Sequence, residues 1–321
     1  MSEASPDCYI GIDTSNYKTS VAVVDSRGNV LFNSRKFLNV KKGERGLRQS
    51  EALFQHVKQL PDAIEKALSD PEIRHAVGCV SVSVKPRPVE GSYMPVFLAG
   101  EAFAQTLSAA LGVPMYRFSH QEGHIEAVSR FVNIDKSRPF ICFHFSGGTT
   151  EAILTDKNEH TFEIVGGSKD LAYGQVLDRI GVSMGFDFPC GEELDKTACL
   201  FQNNGASQRL FSKIKVRDGF LNLSGTETQG QRLVGSCSKE LIISDLFRVL
   251  SQSVCDMTEQ LASKYNIDQF IYAGGVSSSG FIRDFLEHRL GTRYSIFFGS
   301  PELSSDNAVG TALLGGNMIW L

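Results

Sequence analysis

Tyr9-Ile-Gly-Ile-Asp13, Thr14-Ser-Asn-Tyr-Lys-Thr19 and Ser20-Val-Ala-Val-Val-Asp25 follow one another near the start of the chain. The first is an apolar strand ending on an acid, the second a small polar loop, the third a strand running back. Ser26-Arg-Gly-Asn29 has turn chemistry and leads into a third strand, Val30-Leu-Phe-Asn33. The middle of the chain repeats the design: strand Phe140-Ile-Cys-Phe-His-Phe145, turn Ser146-Gly-Gly-Thr-Thr150 and returning strand Ala152-Ile-Leu-Thr-Asp156. Either hairpin alone is an ordinary strand–turn–strand unit. Two of one form, each opening half of the chain, predict an α/β protein of two related domains facing one another.

The content of the turns strengthens this reading. Glycines and small hydroxyl residues at a hairpin tip expose backbone N–H groups and let an anion approach. One such loop in each domain can grip a nucleotide's phosphates from both sides. A third glycine element, Ile271-Tyr-Ala-Gly-Gly-Val276-Ser-Ser-Ser279, precedes the helical pattern Phe281-Ile-Arg-Asp-Phe-Leu286. There Gly274 and Gly275 would let the backbone close on an adenine or ribose.

With 321 residues, 42% of them hydrophobic, the chain can bury a substantial core, and its length favours two domains. A net charge of −4 lacks the basic footprint that announces nucleic acid, though a local patch can carry that contact. Seven scattered cysteines without a C-x-x-C pair suit reduced thiols. Met1 to Asp7 is polar, and no stretch approaches a membrane span, so the expected location is the cytoplasm. Leu47 to Leu68 is an amphipathic pattern that Pro61 is expected to break. Further helices are predicted over Gly100–Leu111 and Gln175–Met184, and a helical pair over Ser236–Lys264. Asn203–Gln231 reads as a helical insert or a loop.

His120-Gln-Glu-Gly-His124 places two imidazoles one helical turn apart, the spacing by which one helix offers two nitrogens to a metal. In the zinc-protease signature H-E-x-x-H the base directly follows the first histidine. Glu122 instead lies two residues from each histidine and points away from any ion they would hold. On spacing alone an incidental surface pair is the commoner reading.

The order of these elements resembles the actin, sugar-kinase and heat-shock-chaperone ATPase superfamily. Within it the chain is similar to the tRNA threonylcarbamoyladenosine transferases, formerly described as O-sialoglycoprotein endopeptidases. The family's G-I-E-T-S-C-D-E-T resembles Gly11-Ile-Asp-Thr-Ser-Asn-Tyr-Lys-Thr19, its H-x-E-G-H stands as His120 to His124, and its S-G-G-H-T-Q resembles Ser146-Gly-Gly-Thr-Thr-Glu151. D-x-x-x-G-x-x-x-D-K is similar to Asp170-Leu-Ala-Tyr-Gly-Gln-Val-Leu-Asp-Arg179, and Y-P-G-G-P to Phe188-Pro-Cys-Gly-Glu192. F-S-G-L-K-T is similar to Leu223-Ser-Gly-Thr-Glu-Thr228, G-G-V-x-x-N to Gly274-Gly-Val-Ser-Ser-Ser279, and C-T-D-N to Ser304-Ser-Asp-Asn307.

The resemblance implies two actin-like ATPase domains facing a nucleotide cleft. Residues 1–118 would form the first, with a helix of residues 305–321 packing back on it. Residues 119–304 would form the second, with a helical insert. It implies that Asp306 joins His120 and His124 on one iron or zinc ion; read alone, the Asp306-Asn307 pair would be a helix N-cap. Ser146, Gly147, Gly148 and Thr149 would line the phosphates of ATP or a threonylcarbamoyl-adenylate. Asp178 and Gly191 would reach the ribose or adenine end, Gly274, Gly275 and Ser279 the third glycine loop's side, and Asp13 the phosphate side through water or a cation. The bland alternatives are an exposed helix acid at Asp178 and a turn after Pro189 at Gly191.

This sequence departs from the family at Tyr17 and Lys18, where two acids are replaced, at Thr149 for histidine, and at Ser279 for asparagine. Ser83-Val-Lys-Pro-Arg-Pro88 replaces a glycine-rich stretch. The implied activity is metal-dependent threonylcarbamoyl transfer to the adenosine 3′ of a tRNA anticodon, with no side chain evident as general base. The alternatives are a non-catalytic nucleotide-binding scaffold that partners a catalytic relative of the same superfamily, and a carbamoyl transferase with another acceptor. Proteolysis has the least physical support. The run Arg35, Lys36, Lys41, Lys42, Arg45, Arg48 steers tRNA phosphates or is simply a solvated face. No membrane or DNA partner is expected.

Overall fold

The computed structural model describes residues 8–15, 18–39, 47–156, 161–202, 209–299 and 308–319. They group into two compact units, Met1–Phe131 with Ser305–Leu321, and Val132–Ser304. The division falls at 131/132, where the sequence placed a boundary at 118/119.

The first unit is built on the first hairpin. Strands β1 (Cys8–Asp13) and β2 (Lys18–Asp25) pair antiparallel from Cys8↔Asp25 to Asp13↔Ser20, and β3 (Val30–Phe37) pairs antiparallel with β2. The turn between β2 and β3 is held by the Asp25 carboxylate, which accepts from the backbone N–H groups of Arg27 and Asn29, while Gly28 takes φ +86°. Strands β4 (Val77–Lys85) and β5 (Met115–Ser119) add in parallel, for the order β3-β2-β1-β4-β5. Both faces of the inner strands are covered: β1 is buried throughout and β4 from Cys79 to Ser83.

Helix α1 (Gln49–Ala67) passes through Pro61 without the expected break. Its buried stripe, Ala52, His56, Leu60, Ala63 and Ala67, anchors both halves against the sheet. Pro61 lies on the exposed face, so water can reach the carbonyl its missing N–H leaves free. The stripe's His56 is fully buried and shares a 2.8 Å hydrogen bond between Nδ1 and the Thr19 hydroxyl. Burial pushes its pKa down to about 4, against the raising effects of the Asp13 charge and the Ser15 backbone. The folded value lies below the unfolded one, so this contribution is complete above pH 6.5 and lost as pH falls towards 4. We expect His56→Gln to remove about 3 kcal/mol of the acid-induced stability loss between pH 7 and 4. Urea melts of both proteins across that range would test it, and identical pH profiles would sink the assignment.

The second unit repeats the plan. Strands β6 (Phe140–Phe145), β7 (Thr150–Asp156) and β8 (Thr161–Ser168) are antiparallel, while β10 (Gln269–Ala273) and β11 (Ser295–Phe298) continue in parallel from β6. The order β11-β10-β6-β7-β8-β9 matches the first sheet, with β9 (Phe220–Leu221) added at one edge. The hairpin repeat is thus a repeat of whole sheets. Tyr272 stacks between Phe143 and Phe298 at ring separations of 5.1 and 5.3 Å, and its hydroxyl meets Thr258 at 2.9 Å. The region expected as a helical pair is one helix, α8 (Lys239–Tyr265), because Leu246, Leu250, Val254, Met257 and Leu261 keep one unbroken buried stripe. It stops at Asn266, which takes the left-handed conformation that asparagine tolerates.

Candidate functional site

The histidine pair opens helix α4 (His120–Arg130) in the first unit. Ser119 and Glu122 form a capping box: the Ser119 hydroxyl accepts from Glu122 N, and Glu122 Oε2 accepts from Ser119 N at 2.6 Å. Glu122 is therefore occupied as a cap and turned from the imidazoles, as its spacing predicted. The two rings meet edge to face, with Nε2 of His120 and Nε2 of His124 2.9 Å apart. Two nitrogens bound to one ion at 2.0–2.1 Å and at the tetrahedral angle stand about 3.3 Å apart, a few tenths of an ångström wider than this pair. A small opening of the two rings would let the pair take one ion.

Asp13, at the end of β1, is wholly buried, and its Oδ1 lies 2.9 Å from His120 Nδ1. A carboxylate only accepts, so Nδ1 carries a proton, and the neutral form of the ring would present its lone pair at Nε2. The other oxygen, Oδ2, accepts from the Ser15 hydroxyl at 2.7 Å and Ser15 N at 3.3 Å. Asp13, expected on the phosphate side, bonds to an imidazole 107 residues away and to its own loop. No local sequence signal points to that contact. Thr14 braces the loop, donating to Val96 O at 3.0 Å and accepting from Gly100 N.

Helix α4 lies against α10 (Val309–Ile319), whose packing depends on glycines. A Cβ on Gly310 would stand 1.8 Å from Gly123 O, and one on Gly123 2.8 Å from the Thr311 hydroxyl. Asp306, three residues before α10 in sequence, lies outside the described residues, as do Tyr17, Lys41, Lys42 and Arg45. No trio of His, Cys, Asp or Glu suited to a metal occurs among the described residues. Lys18, at the start of β2, places its ammonium 4.7 Å from the Phe37 ring centre.

The remaining candidates lie in the second unit. Parallel neighbours β6 and β10 end at the same edge, so the Ser146 loop and the Gly274–Gly275 loop emerge side by side. Gly274, at φ +94°, has room only for hydrogen, since a Cβ would lie 2.2 Å from Phe145 O. Helix α5 (Tyr173–Ser183) starts beneath the Ser146 loop, where Gly174 admits Gly147 at backbone distance. The Ser146 hydroxyl accepts from the N–H groups of Gly148 and Thr149 at 3.4 and 3.1 Å. Among the described residues, a Cβ at Gly147, Gly148, Gly191 or Gly275 would meet nothing within 4 Å. A ligand can approach this backbone closely.

Asp170 explains the family-like D-x-x-x-G run in physical terms. Burial pushes its pKa up, but the N–H groups of Leu223, Ser224 and Leu171 with the Ser224 hydroxyl outweigh this and hold it at about 2. It ties the start of α5 to α7 (Ser224–Leu233). Asp178 accepts from Cys190 N at 2.8 Å, just ahead of Gly191 at the start of α6 (Gly191–Gln202), and burial raises its pKa. Ser279 caps α9 (Gly280–Leu290) and bonds to Asp195 Oδ1 at 2.5 Å. All seven cysteines are free, and burial lifts Cys79, Cys142 and Cys255 to about 12, so these thiols are poor nucleophiles.

A family model described as tRNA N6-adenosine threonylcarbamoyltransferase matches residues 30–313. The enzyme of that name from Dictyoglomus turgidum is 29% identical over 318 residues, covering 95% of this chain and 92% of its own. Its counterpart from Bacillus licheniformis is 28% identical over 321 residues, covering 96% and 91%. Among solved structures, component A of (R)-2-hydroxyglutaryl-CoA dehydratase from Acidaminococcus fermentans superposes with a TM-score of 0.59 at 13% identity, covering 98% of this chain and 99% of that one. The fold is that of the actin-like ATPases. No helix among the described residues is long and apolar enough to cross a membrane.

Proposed function

The chain belongs to the tRNA N6-adenosine threonylcarbamoyltransferase family, and we propose that it moves a threonylcarbamoyl group from an adenylate to the exocyclic amine of the adenosine 3′ of a tRNA anticodon. The observation that carries this reading is the convergence of His120 and His124 at 2.9 Å, with Asp13 on the far nitrogen of His120. His120, His124 and Asp306 would hold one divalent ion, iron or zinc. Such an ion supplies Lewis acidity at the carbamoyl carbonyl.

The amine nitrogen forms a bond to the carbamoyl carbon, the bond from that carbon to the phosphate oxygen breaks, and AMP departs with the electron pair. The amine gives up one proton to water. Asp13 fixes the His120 tautomer, and the capping box of Ser119 and Glu122 sets where α4 begins. The loop from Ser146 to Thr149, with Gly147 and Gly148 open on their side-chain face, would receive the phosphate on its backbone N–H groups. Gly191, positioned through Asp178 and Cys190, and the loop of Gly274 and Gly275 receive the ribose and adenine. The enzyme would be cytoplasmic and would work with tRNA and a partner of its own superfamily.

A second reading, a nucleotide-binding scaffold or a transferase with another acceptor, draws on Ser279. The residue in the family's asparagine position is committed to Asp195 rather than open to a nucleotide. Cells lacking the protein are expected to lose threonylcarbamoyladenosine from their tRNA, and purified protein to restore it. Unchanged tRNA together with failed restoration would reject the transferase reading. Metal content and nucleotide affinity of wild type and His120→Ala would then distinguish the scaffold, which keeps nucleotide without metal.

A further inference from the structure

In the second unit, the segment around Arg209–Ile214 and the adjoining faces of α8 and α9 enclose a cavity of about 370 Å³. Four cations line it: Arg209, Lys213, Arg248 and Arg289. Arg248 Nε donates to Asp245 Oδ1 at 2.6 Å, and Lys213 pairs with Asp256 at 2.8 Å. Arg209 and Arg289 are exposed and have no acid partner among the described residues. The six residues before Arg209, Asn203 to Gln208, carry no charge that could neutralise it.

The cavity is fixed in place. Asp245 Oδ2 accepts from the N–H groups of both Leu210 and Phe211 at 2.7 Å, which ties the Arg209 segment to α8. Its apolar side chains, Phe211, Ile214 and Val249, are buried, so no ring is free to stack on a base. What the cavity offers a ligand is guanidinium charge, which suits bidentate contact with phosphate oxygens. In a chain of net charge −4, a polyanion has to be held by such a local excess.

We propose that this basic cavity docks the phosphodiester backbone of RNA, through Arg209 and Arg289, without reading its bases. The identity of the polyanion rests on the transferase reading; the charge arrangement does not. The test is binding of the full chain to unmodified tRNA from 50 to 200 mM KCl, for wild type and for Arg209→Gln/Arg289→Gln. The double variant should bind more weakly and flatten the slope of log affinity against log salt by about 2, roughly one per phosphate contact. Both side chains are exposed, so its melting temperature should match wild type. A wild type that binds and modifies tRNA beside a variant of unchanged slope would overturn the proposal and leave the transferase intact. A wild type that binds no tRNA would overturn both. Competition by inorganic phosphate at equal phosphate concentration, abolished in the variant, would overturn the RNA assignment in favour of a small-anion site.

Discussion

Asp13→Asn is expected to weaken binding of the proposed ion by about 10- to 100-fold, the usual consequence of altering a group that orients a metal-ligand histidine. Asp13 Oδ1 sits 2.9 Å from His120 Nδ1 in a buried setting. There a full negative charge raises the basicity of the imidazole and holds one tautomer. An asparagine oxygen can still accept the same hydrogen bond, but without the charge. The expected result is therefore a loss of affinity with the α4 geometry kept. Calorimetric titration with zinc or ferrous ion would measure it, alongside thermal melting with chelator present. If the variant binds metal as wild type does, Asp13 is only a brace for the Ser15 loop. If affinity and chelated melting fall together, the effect is structural. His120→Ala should lose more than Asp13→Asn, because it removes a nitrogen donor and not only its support.

The second large effect is on stability. Gly310→Ala should cost about 3 kcal/mol or more, the upper range for overpacking. The added Cβ would stand 1.8 Å from Gly123 O and 2.7 Å from Ala127 N. Both are backbone atoms inside a helix, so no side chain can turn away, and α4 must separate from α10. Since α4 carries both histidines and α10 follows Asp306 in sequence, metal affinity should fall with stability. Gly147→Ala is the contrast: its Cβ meets nothing described within 4 Å, so stability should stay within about 0.5 kcal/mol while nucleotide affinity drops. Equal destabilisation of the two variants, read from denaturant melts, would contradict the close-packed crossing.

Much of this molecule is legible in its residues. The strand Phe140–Phe145 stands where the apolar run placed it, because a short aromatic-rich run with Pro139 before it and Gly147-Gly148 after it has few other uses. The repeat of hairpins proved to be a repeat of sheet order. Pro61 misled, because a local rule about backbone donors was outweighed by a buried stripe holding the helix on both sides of it. The Ser119–Glu122 capping box is legible as an S-x-x-E signal ahead of the histidine helix. Ser279 stands where the family has asparagine, and only the fold showed it bonded to Asp195.

The sequence by itself determined the two hairpins, their glycine turns, the one-turn spacing of His120 and His124, and the family to which these motifs belong. These are matters of periodicity and of residue order, both local. Only the tertiary structure decided that Asp13 serves His120, that Gly123 and Gly310 let α4 and α10 touch at the backbone, and that Arg209 and Arg289 share one cavity. Those facts join residues about 80 to nearly 190 positions apart, where the energy depends on which surfaces meet and no spacing along the chain records it.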